Sequence, residues 1–337
     1  MQKINLPKVI FGTSGLGNLY VALPEEVKCA IVAESVRCSN PAVFDTAGKY
    51  GAGLALESLG RALKQLNVKP SDVLISNKLG WVRTELKTPE PTFEPGVWRD
   101  LKYDAMQRIS YDGILECYEQ GNELLGDYHA EWVSVHDPDE YLAAAKDETE
   151  YAQRYEDILE AYRALNELKK EGKVRGIGVG SKDWRAIKKI ARDVELDWVM
   201  IANSMTVHSH PRELVDFMQE LEKRGIPIIN SAVFNGGFLT GAEYYNYRLT
   251  HPAKDNELYH WREMFYQLCT DYNIKPVDAC TAFGLNAPGV KSIALSTSNV
   301  GRVAQNVAVA SLKIPMQFWK EMKERGLIDE SYDLAAL

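Results

Sequence analysis

Several features that would indicate a membrane, secreted or nucleic-acid-binding protein are missing from the chain. No apolar run approaches the roughly 18 residues that span a bilayer, so we expect no transmembrane helix. The opening segment, Met1–Pro7, has no apolar core of signal-peptide length. The formal net charge is −8 and no basic tract occurs, so neither a nucleic acid nor an anionic membrane is an expected partner.

Cysteine is scarce and irregularly spaced. The five cysteines are an odd number without a CxxC pair, which favours reduced thiols in a cytoplasmic protein over a disulfide framework or a zinc site. His208 and His210 are the nearest approach to a metal motif. Two histidines without a third ligand are more often part of a surface loop than of a metal site. We therefore expect a cytoplasmic protein that binds no metal.

Short apolar runs rich in β-branched residues alternate with helix-period segments. The 337 residues could form one large α/β barrel or two smaller domains, but no linker rich in Pro, Gly or Ser divides them. The predicted strands lie near Val9–Gly12, Ala42–Asp45, Val73–Ser76, Trp132–Val135, Val174–Gly178, Trp198–Ala202, Pro227–Asn230 and Ser292–Leu295. The predicted helices include Glu25–Arg37, Leu54–Leu66, Ile114–Leu125, Tyr155–Glu171 and Arg212–Arg224. Eight strand–helix alternations predict a single (β/α)8 TIM barrel domain over residues 1–337.

Four polar side chains fall at the ends of predicted strands. Asp45 and Tyr50 come at the end of the second strand and in the loop after it, while Lys78 and His136 follow the third and fourth strands. The active site of a (β/α)8 barrel lies at the C-terminal strand ends. This set suits a carbonyl–carbinol redox reaction. Tyr50 moves the proton, Lys78 favours its phenolate form and Asp45 holds Lys78. His136 then fixes the substrate oxygen by a hydrogen bond.

The motifs around these residues resemble those of the aldo-keto reductases. The resemblance runs from about Val9 to about Asn306 and rests on Phe44–Ala47 with Tyr50–Gly51, Asn77–Lys78, Val135–Pro138 and Gly172–Val179. It is closest to the branch of L-fucose, D-threo-aldose and L-galactose 1-dehydrogenases, through Ser110–Ile114, Asn230–Gly241 and Tyr247–Arg248. The resemblance implies an NAD(P)-dependent enzyme that oxidises the anomeric carbon of an aldose to the lactone.

The same resemblance implies where a nicotinamide cofactor binds. Its carboxamide falls to Ser181 and Asn203, after the fifth and sixth strands, where many family members have Ser-Asn and Gln. The pyrophosphate falls under the loop that contains Phe234, Asn235, Gly236, Gly237 and Leu239. The adenosine end falls to residues after the last strand, namely Ser296, Thr297, Ser298, Arg302 and Asn306.

The choice between NAD and NADP depends on the cations near the adenosine end. NADP-preferring members commonly place a lysine where this chain has Ser296, and Arg302 is the only cation nearby in the sequence. A 2′-phosphate needs one or more cationic partners. The sequence therefore favours NAD, with NADP as the alternative.

Two long segments rich in aromatic residues are candidate substrate loops. Leu79–Ile109 has little periodicity and carries Trp81, which we expect to contact the substrate together with Tyr50 and His136. The insertion Glu243–Asn256 contains Tyr244, Tyr245, Tyr247 and Arg248. Aromatic faces beside hydrogen-bonding groups suit a sugar, although the same side chains could simply pin the loops to the barrel.

Other functions remain open at this point. The same four residues would serve an NADPH-dependent reductase of aldehydes or ketones, and a cofactor-binding regulatory subunit without turnover is a further alternative. A barrel glycosidase would need two carboxylates, for which Asp45 and Asp137 are candidates. Gly12–Gly17 lacks the GxGxxG spacing of a Rossmann turn. In every case we expect a small-molecule sugar or carbonyl as partner, and a monomer or small homo-oligomer.

Overall fold

Eight parallel strands close into a barrel in the computed structural model, which describes residues 6–246 and 248–337. The barrel strands are β1 Val9–Gly12, β2 Ala42–Ala47, β3 Val73–Leu79, β4 Trp132–His136, β5 Gly176–Ser181, β6 Trp198–Ala202, β7 Ile228–Ser231 and β8 Val290–Ser296. Each strand pairs with its neighbours in chain order, and β8 closes the barrel against β1. The predicted (β/α)8 architecture is confirmed.

Helices surround the barrel and cover its outer face. They are α1 Glu25–Cys38, α2 Leu54–Gln65, α3 Tyr111–Leu125, α4 Pro138–Ala143, α5 Glu148–Lys170, α6 Trp184–Asp193, α7 Arg212–Lys223, α8 Asn256–Asp271, α9 Pro276–Asn286, α10 Gly301–Val309 and α11 Met316–Glu324. The helix α5 begins seven residues before the predicted Tyr155, because Asp147 caps it by accepting a hydrogen bond from the backbone N–H of Glu150. None of the described helices is long and apolar enough to cross a membrane.

The barrel interior is filled by a small cluster of inward-facing side chains. This cluster consists of Ile10, Val43, Trp132, Trp198, Met200 and Ile229, all buried. Gly178 makes room for Trp198, because a Cβ at position 178 would lie 2.3 Å from the indole ring. The packed interior leaves the C-terminal ends of the strands as the position for a site.

The segment after β3 is a β-hairpin, where the sequence predicted a long loop of little periodicity. Trp81–Glu85 pairs antiparallel with Tyr103–Gln107. The residues between them turn back over the barrel mouth, and Trp98 forms a backbone bridge with Leu19 of the first barrel loop. The hairpin depends on pairing across about twenty residues, which local periodicity does not reveal.

Candidate active site

The four predicted side chains lie at the C-terminal end of the barrel. Asp45 and Lys78 lie near the C-terminal ends of the neighbouring strands β2 and β3, where Asp45 pairs with Ser76 and Ala47 pairs with Lys78. His136 is the last residue of β4 and pairs with Gly180 of β5. Tyr50 follows β2 by three residues. Parallel register thus brings three strand ends and one loop to the same mouth.

Asp45 and Lys78 form a buried ion pair beside Tyr50. Lys78 Nζ donates to Asp45 Oδ2 at 2.5 Å and to the Thr46 carbonyl at 3.2 Å. The same Nζ lies 4.7 Å from the centroid of the Tyr50 ring. Burial raises the pKa of Asp45 against the opposing effect of Lys78. The ammonium is therefore held between a carboxylate and the phenol that the sequence analysis assigned to proton transfer.

His136 also packs against Tyr50. The two rings meet edge to face, with centroids 5.7 Å apart and an interplanar angle of 84°. Burial, followed by the nearby ammonium groups of Lys78, Lys49 and Lys182, holds the pKa of His136 well below its usual range. Its Nδ1 is buried and has no hydrogen-bond partner among the described residues. At neutral pH the imidazole is therefore uncharged, with one N–H to donate.

The neutral state of His136 makes the stability of the fold depend on pH. Unfolding at a pH below about 6.5 takes up a proton on this imidazole, so its contribution to stability is present above that pH and is lost as the pH falls. We expect the free energy of unfolding of the wild type, relative to His136→Gln, to fall by up to about 1.4 kcal/mol per pH unit below pH 6.5. Urea unfolding at pH 8, 6.5 and 5.5 measures this difference.

His129→Gln is the matched control, because His129 is exposed. Its unfolding curve should follow that of the wild type at each pH. An H136Q variant whose stability difference from the wild type stays constant across this range would contradict a neutral, buried imidazole.

A second group of charges surrounds this site, and the sequence analysis did not predict it. Lys49 Nζ lies 2.8 Å from both Glu94 Oε1 and Glu140 Oε2 and 3.5 Å from Asp137 Oδ2. Lys182 also pairs with Glu140, and its Nζ lies 3.4 Å from Asp137 Oδ2. The signal in the sequence was adjacency alone: Lys49 precedes Tyr50 and Asp137 follows His136.

The two residues predicted to hold the nicotinamide carboxamide differ in whether their side chains are already hydrogen-bonded. Asn203 is buried, adopts a left-handed backbone (φ 61°), and its Oδ1 has no hydrogen-bond partner among residues 6–246 and 248–337. Ser181 is also buried, but its hydroxyl donates to the Asp183 carbonyl at 3.0 Å. The unpaired amide oxygen of Asn203 therefore fits a carboxamide N–H better than Ser181 fits any of its groups.

The loop after β7 has the backbone expected of a cover for a pyrophosphate. Gly236 and Gly237 have φ values of 73° and 93°, which a residue with a side chain rarely adopts. Asn235 is fully buried and ties the loop down, because its Nδ2 donates to the Asn203 carbonyl and to Asn246 Oδ1. Phe234 is half-buried. The Leu239 side chain is packed in the core, so only its backbone is free to face a ligand.

The end of β8 presents a row of hydroxyl groups ahead of α10. Ser296 and Ser298 are exposed, and the Ser296 hydroxyl shares a 2.9 Å hydrogen bond with that of Ser14. Thr297 accepts a hydrogen bond from the backbone N–H of Asn299. Arg302 is exposed, and the described residues place no acid within ion-pair distance of it, while Asn306 is half-buried. Hydroxyls, a helix N-terminus and a free guanidinium fit the adenosine and phosphate end of NAD(P).

Aromatic side chains of the hairpin approach Tyr50. The Trp98 ring centroid lies 5.7 Å from that of Tyr50, and the Phe93 ring lies between Trp98 and Trp81 at 6.4 and 5.9 Å. Trp81 is half-buried with Nε1 unpaired among the described residues. Trp98, for which no role was predicted from the sequence, thus packs directly against Tyr50.

The second aromatic segment contacts the first barrel loop. The ring of Tyr244 stacks on that of Tyr20 at 5.4 Å. Tyr245 shares a 2.8 Å hydrogen bond with His208 Nδ1. Arg248 is exposed and pairs with Asp255. Tyr247, which was predicted together with these residues, lies outside the described residues.

The histidines considered as metal ligands make hydrogen bonds within the fold. His210 Nε2 accepts the Asp329 N–H, and the described residues contain no cluster of metal ligands.

Comparison with known protein families identifies the class to which this fold and site belong. Residues 8–326 match the aldo/keto reductase family. The chain belongs to that family and is an enzyme of its NAD(P)-dependent oxidoreductase class.

Individual relatives agree with this assignment at low identity. A D-threo-aldose 1-dehydrogenase from Pseudomonas sp is 27% identical over 335 residues, which cover 96% of this chain and 95% of the relative. A pyridoxal 4-dehydrogenase from Microbacterium luteolum is 25% identical over 325 residues, or 94% and 93% of the two chains. The solved structure of an aldo-keto reductase from Bacillus halodurans, in its holo form, superposes with a TM-score of 0.68. It covers 98% of this chain and 94% of that one at 18% identity. The predicted resemblance to the family and its sugar-oxidising branch is confirmed.

Proposed function

We propose that this enzyme oxidises the anomeric carbon of an aldose to the lactone, with NAD as the preferred cofactor. The observation that carries the proposal is the buried Asp45–Lys78 pair set against Tyr50, with neutral His136 packed edge to face on the phenol ring. The likeness to a D-threo-aldose 1-dehydrogenase supports an aldose as the substrate. L-fucose, L-galactose and D-threo aldoses such as D-arabinose are the leading candidates.

The side chains divide the reaction between them. The Tyr50 phenolate accepts the proton of the lactol hydroxyl, and the Lys78 ammonium stabilises that phenolate. Asp45 keeps the ammonium in place, and His136 donates its N–H to the reacting oxygen. A bound nicotinamide supplies the acceptor for the hydride that leaves C1. Loss of one proton and one hydride converts the lactol to a lactone, and the reverse transfers reduce a carbonyl.

Several of the residues proposed to hold the cofactor have hydrogen-bonding groups or backbone that a ligand can still contact. Asn203 offers its amide to the carboxamide, the loop with Gly236 and Gly237 covers the pyrophosphate, and Ser296 to Ser298 offer hydroxyls to the adenosine end. Ser181, Phe234, Asn235, Leu239, Arg302 and Asn306 complete the proposed set.

Arg302→Ala tests the preference for NAD. Only NADP carries a 2′-phosphate, so the variant should lose about tenfold in kcat/KM with NADP, the lower end of what a charge-assisted hydrogen bond contributes. With NAD the effect should be small. Initial rates with each cofactor measure the difference, and Arg163→Ala, at an exposed arginine of α5, is the control. A larger loss with NAD than with NADP would contradict this placement of Arg302.

Initial-rate absorbance at 340 nm tests the proposed function directly. The panel offers L-fucose, L-galactose and D-arabinose with NAD and with NADP. Reduction of NAD by at least one of them is the expected result. NADPH consumption with simple aldehydes, but no oxidation of any aldose, would exclude the sugar assignment and favour a carbonyl reductase.

Pyridoxal is a second candidate substrate because a pyridoxal 4-dehydrogenase is among the relatives. Pyridoxal carries an aldehyde beside a hydroxymethyl group and closes to an internal hemiacetal, as an aldose does. The same proton and hydride transfers would oxidise either ring. Adding pyridoxal to the panel separates the two substrates. Both fit an enzyme that works as a single barrel domain, as a monomer or small homo-oligomer.

A further inference from the structure

The residues adjacent in sequence to Tyr50 and His136 form a polar group at the barrel mouth. Asp137 Oδ2 lies 3.6 Å from His136 Nε2, 3.5 Å from Lys49 Nζ and 3.4 Å from Lys182 Nζ. Its side chain is 9% exposed. The carboxylate is therefore next to the nitrogen that binds the substrate oxygen in the proposed reaction.

Asp137 is held firmly by its backbone while its carboxylate keeps free acceptor capacity. Its N–H donates to the Gly180 carbonyl at 2.9 Å, and its left-handed backbone (φ 45°, ψ 53°) places it at the N-cap of α4. The carboxylate caps nothing. Its ion-pair contacts are all longer than an ordinary hydrogen bond, and no donor among the described residues comes within bonding geometry of it. A buried carboxylate with unused lone pairs can accept a ligand hydroxyl.

Lys49 lies beside this carboxylate and is not itself available to a ligand. Its ammonium is 4% exposed and already makes 2.8 Å contacts to Glu94 and Glu140. Asp137 is its third acidic neighbour. Lys49 and Lys182 place two positive charges within 3.5 Å of Asp137 Oδ2.

An aromatic ring lies next to this polar group. Glu94 links the two, since its Oε1 contacts Lys49 while its Oε2 accepts the Trp98 indole N–H at 2.7 Å. Trp98 in turn packs against Tyr50. The mouth thus offers a carboxylate beside His136 and an indole ring beside Tyr50, which matches the hydroxyl rim and C–H face of a sugar.

We propose that Asp137 binds the hydroxyl on the carbon next to the reacting carbon, so that the enzyme selects 2-hydroxy carbonyl compounds and their lactols. Because His136 holds the reacting oxygen, the neighbouring hydroxyl is the group that can reach Asp137. This inference rests on the proposed roles of Tyr50 and His136. The substrate must then carry a hydroxyl on the carbon next to the reacting carbon. Asp137, which is not one of the four proposed catalytic residues, selects for that hydroxyl.

Two substrate pairs that differ by this hydroxyl test the proposal. One pair is lactaldehyde and propanal, reduced with NADH or NADPH; the other is an aldose oxidised by the wild type and its 2-deoxy counterpart. The wild type should prefer the hydroxylated member. Asp137→Asn should lower kcat/KM for that member by about 10- to 100-fold, the range of a hydrogen bond to a charged acceptor, and should change the other member little.

The substrate without the hydroxyl serves as the internal measure of folding. Retained activity with propanal shows that the D137N active site is intact. Asp127→Asn removes a carboxylate from an exposed ion pair with Lys64 and should keep the wild-type preference. Equal loss of both members in D137N overturns the proposal, as does a wild type that does not discriminate between them.

The outcomes separate this proposal from the proposed function. If no aldose is oxidised but the preference for lactaldehyde disappears in D137N, the hydroxyl site stands and the aldose assignment fails. If aldoses and their 2-deoxy counterparts are oxidised equally well, the aldose assignment stands and the hydroxyl site at Asp137 fails. A wild type that turns over neither carbonyls nor aldoses overturns both.

Discussion

Tyr50→Phe should lower kcat by roughly 10²- to 10⁴-fold, the range that general acid–base catalysis contributes. The change deletes one hydroxyl, so the Lys78 ammonium keeps its position over the ring and Asp45 keeps its partner. Proton transfer to or from the substrate oxygen is lost, because phenylalanine has no hydroxyl to give or take the proton. Stability should change little, since the ring keeps its packing against Trp98.

Two measurements together show that the loss is chemical. Steady-state rates at saturating substrate give kcat, and quenching of tryptophan fluorescence by the nicotinamide nucleotide gives the dissociation constant, which should stay within a few fold of the wild type. Tyr151→Phe, at an exposed tyrosine of α5, is the control for loss of a phenol. A Y50F variant with near wild-type kcat would remove Tyr50 from the mechanism, whereas a biological role that survives without turnover would favour the regulatory alternative.

Lys78→Met should be the most destabilising substitution in the site. Lys78 and Asp45 are 3% and 5% exposed in a 2.5 Å ion pair, and removing one partner leaves the other charge buried without compensation. Such losses amount to about 3–5 kcal/mol. Activity should also be lost, because the phenolate of Tyr50 no longer has a cation beside it.

The double variant D45N/K78M distinguishes the stranded charge from lost packing. Two neutral side chains should recover most of the stability that K78M loses, although neither variant regains activity. Since burial raises the pKa of Asp45, the folded K78M protein favours the protonated acid. Its stability relative to the double variant should therefore fall as the pH rises above the ordinary carboxyl range. Thermal unfolding at pH 5 and pH 8 measures both effects. Equal instability of the single and double variants would contradict this account.

The positions of the four groups proposed to react could be predicted from the sequence because each lies at or just after a strand end. Asp45, Lys78 and His136 end short apolar runs that are predicted as strands, and the parallel strands of a barrel bring such positions together. The chemistry of an acid, an amine, a phenol and an imidazole then limits what the group can do. The cofactor residues came from resemblance, and of these Asn203 and Asn235 each have a buried amide oxygen without a partner among the described residues.

The charged group around Lys49 could not be predicted in the same way. Glu94 lies 45 residues after Lys49 and Glu140 lies 91 after it, and neither position follows a periodic pattern. The hairpin that carries Glu94 and Trp98 forms by pairing of Trp81–Glu85 with Tyr103–Gln107, whose residues show no clear alternation in the sequence. Contacts of this kind depend on which loop folds over which strand end.

For this protein, the sequence by itself determined the barrel, its open end and the four groups expected to react, since strand and helix periodicity and strand-end residues are local properties. Tertiary structure alone decided which groups stand beside them. Three separate segments supply these groups, namely the buried ammonium of Lys49, the carboxylate of Asp137 and the indole of Trp98. Packing across the barrel mouth sets the distances between them. Burial strengthens the interactions of these polar and charged groups with their neighbours, and the position of a residue in the chain does not reveal those neighbours.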